Sequence, residues 1–128
     1  MVQILMGIAA LLGGLAVAGG AFASHALKDK LSDRALEIFE TGTRYQMYHA
    51  LALLLVVVLL TQSQAAQTWL NSAGIAFIVG TVIFSGSLYA LSLSGIKWLG
   101  AITPIGGAAY LIGWGCLAIA AFSFKSPL

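Results

Sequence analysis

The sequence predicts an all-α integral membrane protein, a four-helix bundle with a short interfacial amphipathic helix between spans one and two. Three observations carry that prediction. Of the 128 residues, 60% are hydrophobic and only 8% charged, with a mean hydropathy of +0.99, so polar side chains are too few to cover a water-soluble globule. Four apolar stretches are each long enough to cross a hydrocarbon layer of about 30 Å, and a helix satisfies its own amides there. Those stretches use up most of the chain as a single domain over 1–128, which leaves short connections and no room for a separate soluble catalytic domain. A formal net charge of +2 supplies no basic face, so nucleic acid is excluded as a partner and the lipid bilayer is the expected one.

Span one is expected at about residues 2–26, where only Gln3, Ser24 and His25 are strongly polar. Ala21-Phe22-Ala23 resembles a small-residue cleavage site, but no Lys or Arg precedes the apolar run, so it is read as a retained span. Ala10, Gly14 and Ala18 recur every fourth position and form one small-residue face, suited to close contact with another helix.

Eight of the ten formal charges, four of each sign, fall between Lys28 and Arg44. Leu31, Ala35, Ile38, Phe39 and Gly42 follow a helical stripe through this region, so an interfacial helix is expected at about 32–44. Ser32 is its expected N-cap with Asp33 in the first turn, and Glu40 stands four residues before Arg44, the better orientation for a helix ion pair.

Span two, about 45–62, is expected to continue that helix after a bend near Gly42 and to leave the membrane at Thr61-Gln62-Ser63-Gln64. Span three, about 69–93, opens at Trp69 and carries Gly86, Ala90 and Ser94 at contact spacing. It is rich in hydroxyls, with Thr81, Ser85, Ser87 and Tyr89, which are expected to bond back to carbonyls of their own helix. Lys97-Trp98 reads as an interface pair before span four, about 98–122. Pro104 either opens that helix with Thr103 as cap or kinks a helix starting near Trp98. The single cysteine, Cys116, lies in an apolar run, where packing is its expected role.

Several stretches resemble the small membrane proteins of domain-of-unknown-function family 423, whose animal relative is transmembrane protein 256. They are Gly20-Ala21-Phe22-Ala23-Ser24-His25-Ala26-Leu27, Phe39 with Thr41-Gly42, Tyr45-Gln46-Met47-Tyr48-His49-Ala50-Leu51, Phe84-Ser85-Gly86-Ser87-Leu88-Tyr89 and Thr103-Pro104-Ile105-Gly106-Gly107. The resemblance covers nearly the whole chain. It implies four membrane helices and brings no activity, substrate or cofactor. Placement in a cell membrane follows, a bacterial plasma membrane or an equivalent energy-transducing one. Lys28, Lys30, Arg34, Arg44 and Lys97 outnumber Lys125 across the membrane, which read literally puts both termini outside. The resemblance implies cytoplasmic termini instead, and the cations of 28–44 are neutralised by their own acids, so cytoplasmic termini are the expectation adopted.

His25 ends span one and His49 begins span two, so with an interfacial helix between them both imidazoles are expected at one membrane face. Glu40, Arg44, Tyr45, Gln46 and Tyr48 complete a candidate polar network at that rim, with Ser24 beside it. The bland reading is a satisfied network that pins the interfacial helix. A proton or solute pathway comes second, and haem held by the two histidines third, without a Cys-x-x-Cys-His attachment motif to support it. No cofactor or metal site is therefore assigned, and with no hydrolase elbow, His-Glu-x-x-His or phosphate loop, no enzyme activity is expected. The expected function is association, as an oligomer or as an accessory subunit of a larger membrane complex, with a carrier or channel built on His25 and His49 as the alternative.

Overall fold

A computed structural model describes residues 1–125. Helix α1, Val2–Phe22, runs on through a π-helical turn, Ala23–Leu27; α2 is Asp33–Gln62, α3 is Gln67–Ser94, and α4 is Thr103–Ser123 after a 3-10 turn, Lys97–Ala101. The described residues contain no strand, and all four helical segments are long and apolar enough to cross a membrane. The chain is an all-helical, multi-pass bundle. Extensive contacts join consecutive helices, α1 to α2, α2 to α3 and α3 to α4, so each inner helix floors a groove between its two neighbours.

The ends follow from local chemistry. Ser32, in extended conformation, accepts a hydrogen bond from the Ala35 N–H at 3.1 Å and starts α2 as its N-cap. Gly95 ends α3 in the left-handed region with φ of 72°, its N–H bonded to the Leu91 carbonyl, a conformation that favours glycine. Pro104 lies in the first turn of α4, where no intrahelical N–H is lost, and does not kink a longer helix. The Lys125 N–H donates to the buried Ser63 hydroxyl at 3.1 Å, tying the end of α4 to the α2–α3 turn.

The separate interfacial helix at 32–44 is not present: after the Ser32 cap, residues 33–44 form the first two fifths of one unbroken 30-residue helix. Their apolar stripe was legible, but its partner is protein and not the lipid surface. Phe39 packs with Ala23 and Leu27 from the end of α1, with Leu31, Leu36 and Tyr89 around them. Gly42 is no hinge. The Tyr89 ring lies on it so closely that an added Cβ would come within 2.7 Å of Tyr89 Cε1. The ion pair expected between Glu40 and Arg44 does not form, and among the described residues the one ion pair is Arg34–Glu37 at 3.0 Å.

The small-residue faces point out of the bundle. Ala10, Gly14 and Ala18 are exposed, whereas α1 buries Leu5, Ala9 and Ala16; Gly86 and Ala90 on α3 are likewise exposed. Close approach inside the bundle uses other glycines, because aromatic rings need flat backbone to lie on: Gly80 takes Tyr110 and Gly113 takes Phe77. The apolar core spans the half of the bundle toward Ser63 and includes Leu5, Leu53, Val56, Leu60, Leu70, Ala73, Phe77 and buried Cys116.

Candidate functional site

Helix α2 buries Phe39, Gly42, Gln46, His49, Leu53, Val56 and Leu60, a seam repeating every three or four residues that faces its neighbours. Gln46 and His49 are the polar members of that seam, and both are fully engaged. The Gln46 amide donates through Nε2 to the Leu12 carbonyl of α1 at 2.8 Å and accepts through Oε1 from the Tyr89 hydroxyl of α3 at 2.7 Å. One side chain thereby joins three helices. Beside it the Ser85 hydroxyl donates to the Gly42 carbonyl at 2.7 Å, a contact that the missing side chain at Gly42 leaves open.

His49 lies against α4. Its ring stacks on Tyr110 with centroids 3.4 Å apart and planes 7° from parallel, and Phe77 closes another side at 5.4 Å. Nδ1 is 2.8 Å from the Tyr45 carbonyl, and Trp114 Nε1 is 3.1 Å from Nε2. A carbonyl can only accept and an indole N–H can only donate, which fixes His49 as a neutral imidazole with its proton on Nδ1. The Tyr110 hydroxyl donates to Thr81 at 3.0 Å, and Ser87 and Thr103 bridge α3 and α4 at 2.6 Å.

Depth follows from the helical rise. Counted from Ser63, His49 lies about 21 Å along α2 at about 1.5 Å per residue, while α4, Thr103–Ser123, measures about 30 Å and two non-helical residues carry the chain on to Lys125, in all about 33 Å, close to a hydrocarbon thickness. His49 therefore sits in the interior of the layer, about 12 Å from the end that carries most of the charges.

The structure does not bring the predicted network together. His25 is exposed on the π-helical turn and remote from His49, because the continuous α2 places His49 about 24 Å from its own first residue. The two imidazoles thus lie on different parts of the bundle, and Nε2 of His49 is bonded to Trp114. Arg44 and Tyr48 are exposed, Glu40 contributes its carbonyl to Thr43, and Tyr45 contributes its carbonyl to His49 and its ring to Phe84. Among the described residues no group of three or more His, Cys, Asp or Glu side chains is placed to hold a metal ion.

Tyr89, Tyr110, Thr81, Ser85 and Trp114 carry the observed network, and the sequence reading passed over their roles. Ser92, Ser94 and Ser72 do bond carbonyls of their own helix, whereas Thr81 and Ser85 bond across helices and Ser87 does both. The available signal was the tyrosines and tryptophan themselves, since a buried phenol or indole in an apolar helix needs a partner.

A family described as "Protein of unknown function (DUF423)" matches residues 19–107, the stretch from Gly19 in α1 to Gly107 in α4, which includes Gln46, His49, Thr81, Ser85 and Tyr89. The chain belongs to the DUF423 family. Similar family relatives are named as membrane proteins. The UPF0382 membrane protein SAB0533 of Staphylococcus aureus (strain bovine RF122) is 48% identical over 110 residues, covering 86% of this chain and 88% of its own. The UPF0382 membrane protein YwdK of Bacillus subtilis (strain 168) is 44% identical over 110 residues, covering 86% and 89%. No solved structure matches. The bacterial DUF423 relatives and the four apolar helices agree on a multi-pass protein embedded in a lipid bilayer.

Proposed function

We propose that this membrane protein is non-catalytic and acts by association through α1, with further copies of itself or as an accessory subunit of a larger membrane complex. The supporting observation is the outer face of α1: Gln3, Gly7, Ala10, Gly14, Ala18, Ala21 and His25 are all exposed, and the five between the ends are glycine or alanine. Lipid-facing positions elsewhere carry bulk, such as Leu51, Leu55 and Val58 on α2 or Leu111, Ile112 and Ile119 on α4. In hydrocarbon there is no hydrophobic gain from joining helices, so association rests on van der Waals packing, and a face without side-chain bulk lets a second backbone approach closely.

Gly14→Leu with Ala18→Leu tests the reading, because a Cβ at Gly14 meets nothing within 4 Å inside the chain. In mild detergent the parent is expected to run as an oligomer or with a co-purifying membrane subunit, and the variant as an unaccompanied monomer with unchanged thermal unfolding. A parent that is monomeric and alone at every stage contradicts the proposal.

A small proton, ion or solute carrier is the second reading, favoured by the depth of His49. Its histidine pair is separated, and from His49 toward Ser63 the interior is Leu53, Val56, Val57, Leu60, Leu70 and Ala73, so a polar path there requires rearrangement. Vesicle flux lost in His49→Ala supports it; no flux in the parent removes it.

A further inference from the structure

We infer that the groove between α2 and α4, floored by α3, is a binding site for a quinol, a hydroxylated aromatic ring on a long apolar tail. The groove encloses about 490 Å³ and is lined by Tyr45, His49, Phe84, Gly107, Tyr110 and Trp114 among others. Its chemistry is set by one pair of atoms. Trp114 Nε1 can only donate, and His49 Nε2 can only accept while its other nitrogen donates to the Tyr45 carbonyl. If the indole swings aside, one donor and one acceptor are left facing each other inside hydrocarbon. A hydroxyl satisfies both through a single atom, its oxygen accepting from Trp114 and its hydrogen going to His49; a carbonyl or an ether satisfies Trp114 alone.

The two partners differ in exposure. Trp114 is 44% exposed, with its inner side 5.1 Å from the Phe77 ring, whereas His49 is 5% exposed and held by its stack on Tyr110. Depth narrows the class further. Phospholipid head groups, and the hydroxyl of a diacylglycerol, are anchored at the surface about 12 Å from His49, so a hydroxyl at this level belongs to a molecule dissolved in the hydrocarbon itself. The walls favour a flat ring: Phe84 lies 5.3 Å from Tyr110 and 4.8 Å from Tyr45, while Gly107 and exposed Ala108 leave the lipid side open for lateral entry.

The test uses the full chain in phosphatidylcholine nanodiscs with 15N-tryptophan, which gives three indole signals, from Trp69, Trp98 and Trp114. Reduced decylubiquinol is titrated, with its dimethyl ether and dioleoylglycerol as parallel arms. The Trp114 signal is expected to move saturably with the quinol, about tenfold more weakly with the ether, and about tenfold more weakly with the quinol in His49→Phe, the loss expected for one buried hydrogen bond. Trp114→Phe, at a half-exposed position, serves should His49→Phe not fold: quinol affinity read at the His49 15N signals is expected to fall by a similar factor. Equal response to quinol and ether, no response confined to Trp114, or dioleoylglycerol binding as tightly as the quinol overturns the assignment.

Discussion

Gly106→Ala is expected to destabilise the bundle by about 3 kcal/mol, the upper end for forcing a methyl into a packed interior. The added Cβ would lie 2.7 Å from Phe84 Cα and against the Phe84 amide nitrogen, so the obstacle is the backbone of α3 and not a side chain able to turn away. Relief requires α3 and α4 to part, which also strains the Ser87–Thr103 and Tyr110–Thr81 bonds on either side of the contact. Gly86→Ala is the control, since its Cβ meets nothing within 4 Å. It is expected to be neutral or to stabilise by up to about 1 kcal/mol, as alanine is the better helix former. Reversible unfolding in mild detergent compares the two. Gly106→Ala as stable as the parent would mean that α3 and α4 do not cross where the structure puts them.

Gln46→Leu is expected to cost about 2 kcal/mol, because the Tyr89 hydroxyl then loses its acceptor in a site without water. The Leu12 carbonyl suffers less, keeping the amide partner of its own helix. The sign of the second step separates a hydrogen-bond effect from a packing effect. Removing the hydroxyl as well, in Gln46→Leu with Tyr89→Phe, is expected to restore about 1 kcal/mol relative to the single change, since replacing both partners by apolar groups leaves no unpaired atom. Additive losses in the double variant would show that the two side chains are not bonded.

The four spans were legible because hydrocarbon thickness and the lack of charge leave little choice of element, and the Ser32 cap because its chemistry is local. The fate of 32–44 was not legible. An amphipathic stripe states that one face is apolar but does not say whether lipid or protein covers it, and the answer lay in α1 and α3 reaching far enough to bury Phe39. That single ambiguity displaced the site. An interfacial helix would have put His25 and His49 at one face, whereas an upright α2 sends His49 into the hydrocarbon and leaves His25 at the rim. Gln46 and His49 stand out in the sequence because polar groups in an apolar seam must be paired; their partners on α3 and α4, separated by 43 residues for Tyr89 and 65 for Trp114, are set by tertiary packing that no local pattern encodes.

The spacing of glycines shows the same limit. A four-residue repeat predicts a smooth face and says nothing of its direction, so the sequence does not say whether the helix that Ala10, Gly14 and Ala18 meet belongs to this chain, and they face out of it, while Gly42, Gly80, Gly106 and Gly113, each set against an aromatic ring or a neighbouring backbone, form no simple repeat.

The protonation pattern of His49 in lipid bilayers tests most directly whether a closed polar network holds α2 inside the membrane. The chain has two histidines, so 15N-imidazole solid-state NMR at neutral pH resolves both. For His49 the structure predicts a neutral ring with the proton on Nδ1 and an unprotonated Nε2 coupled to the Trp114 indole, unchanged by exchange of the surrounding water. A charged ring, a proton on Nε2, or rapid exchange with water would contradict the account.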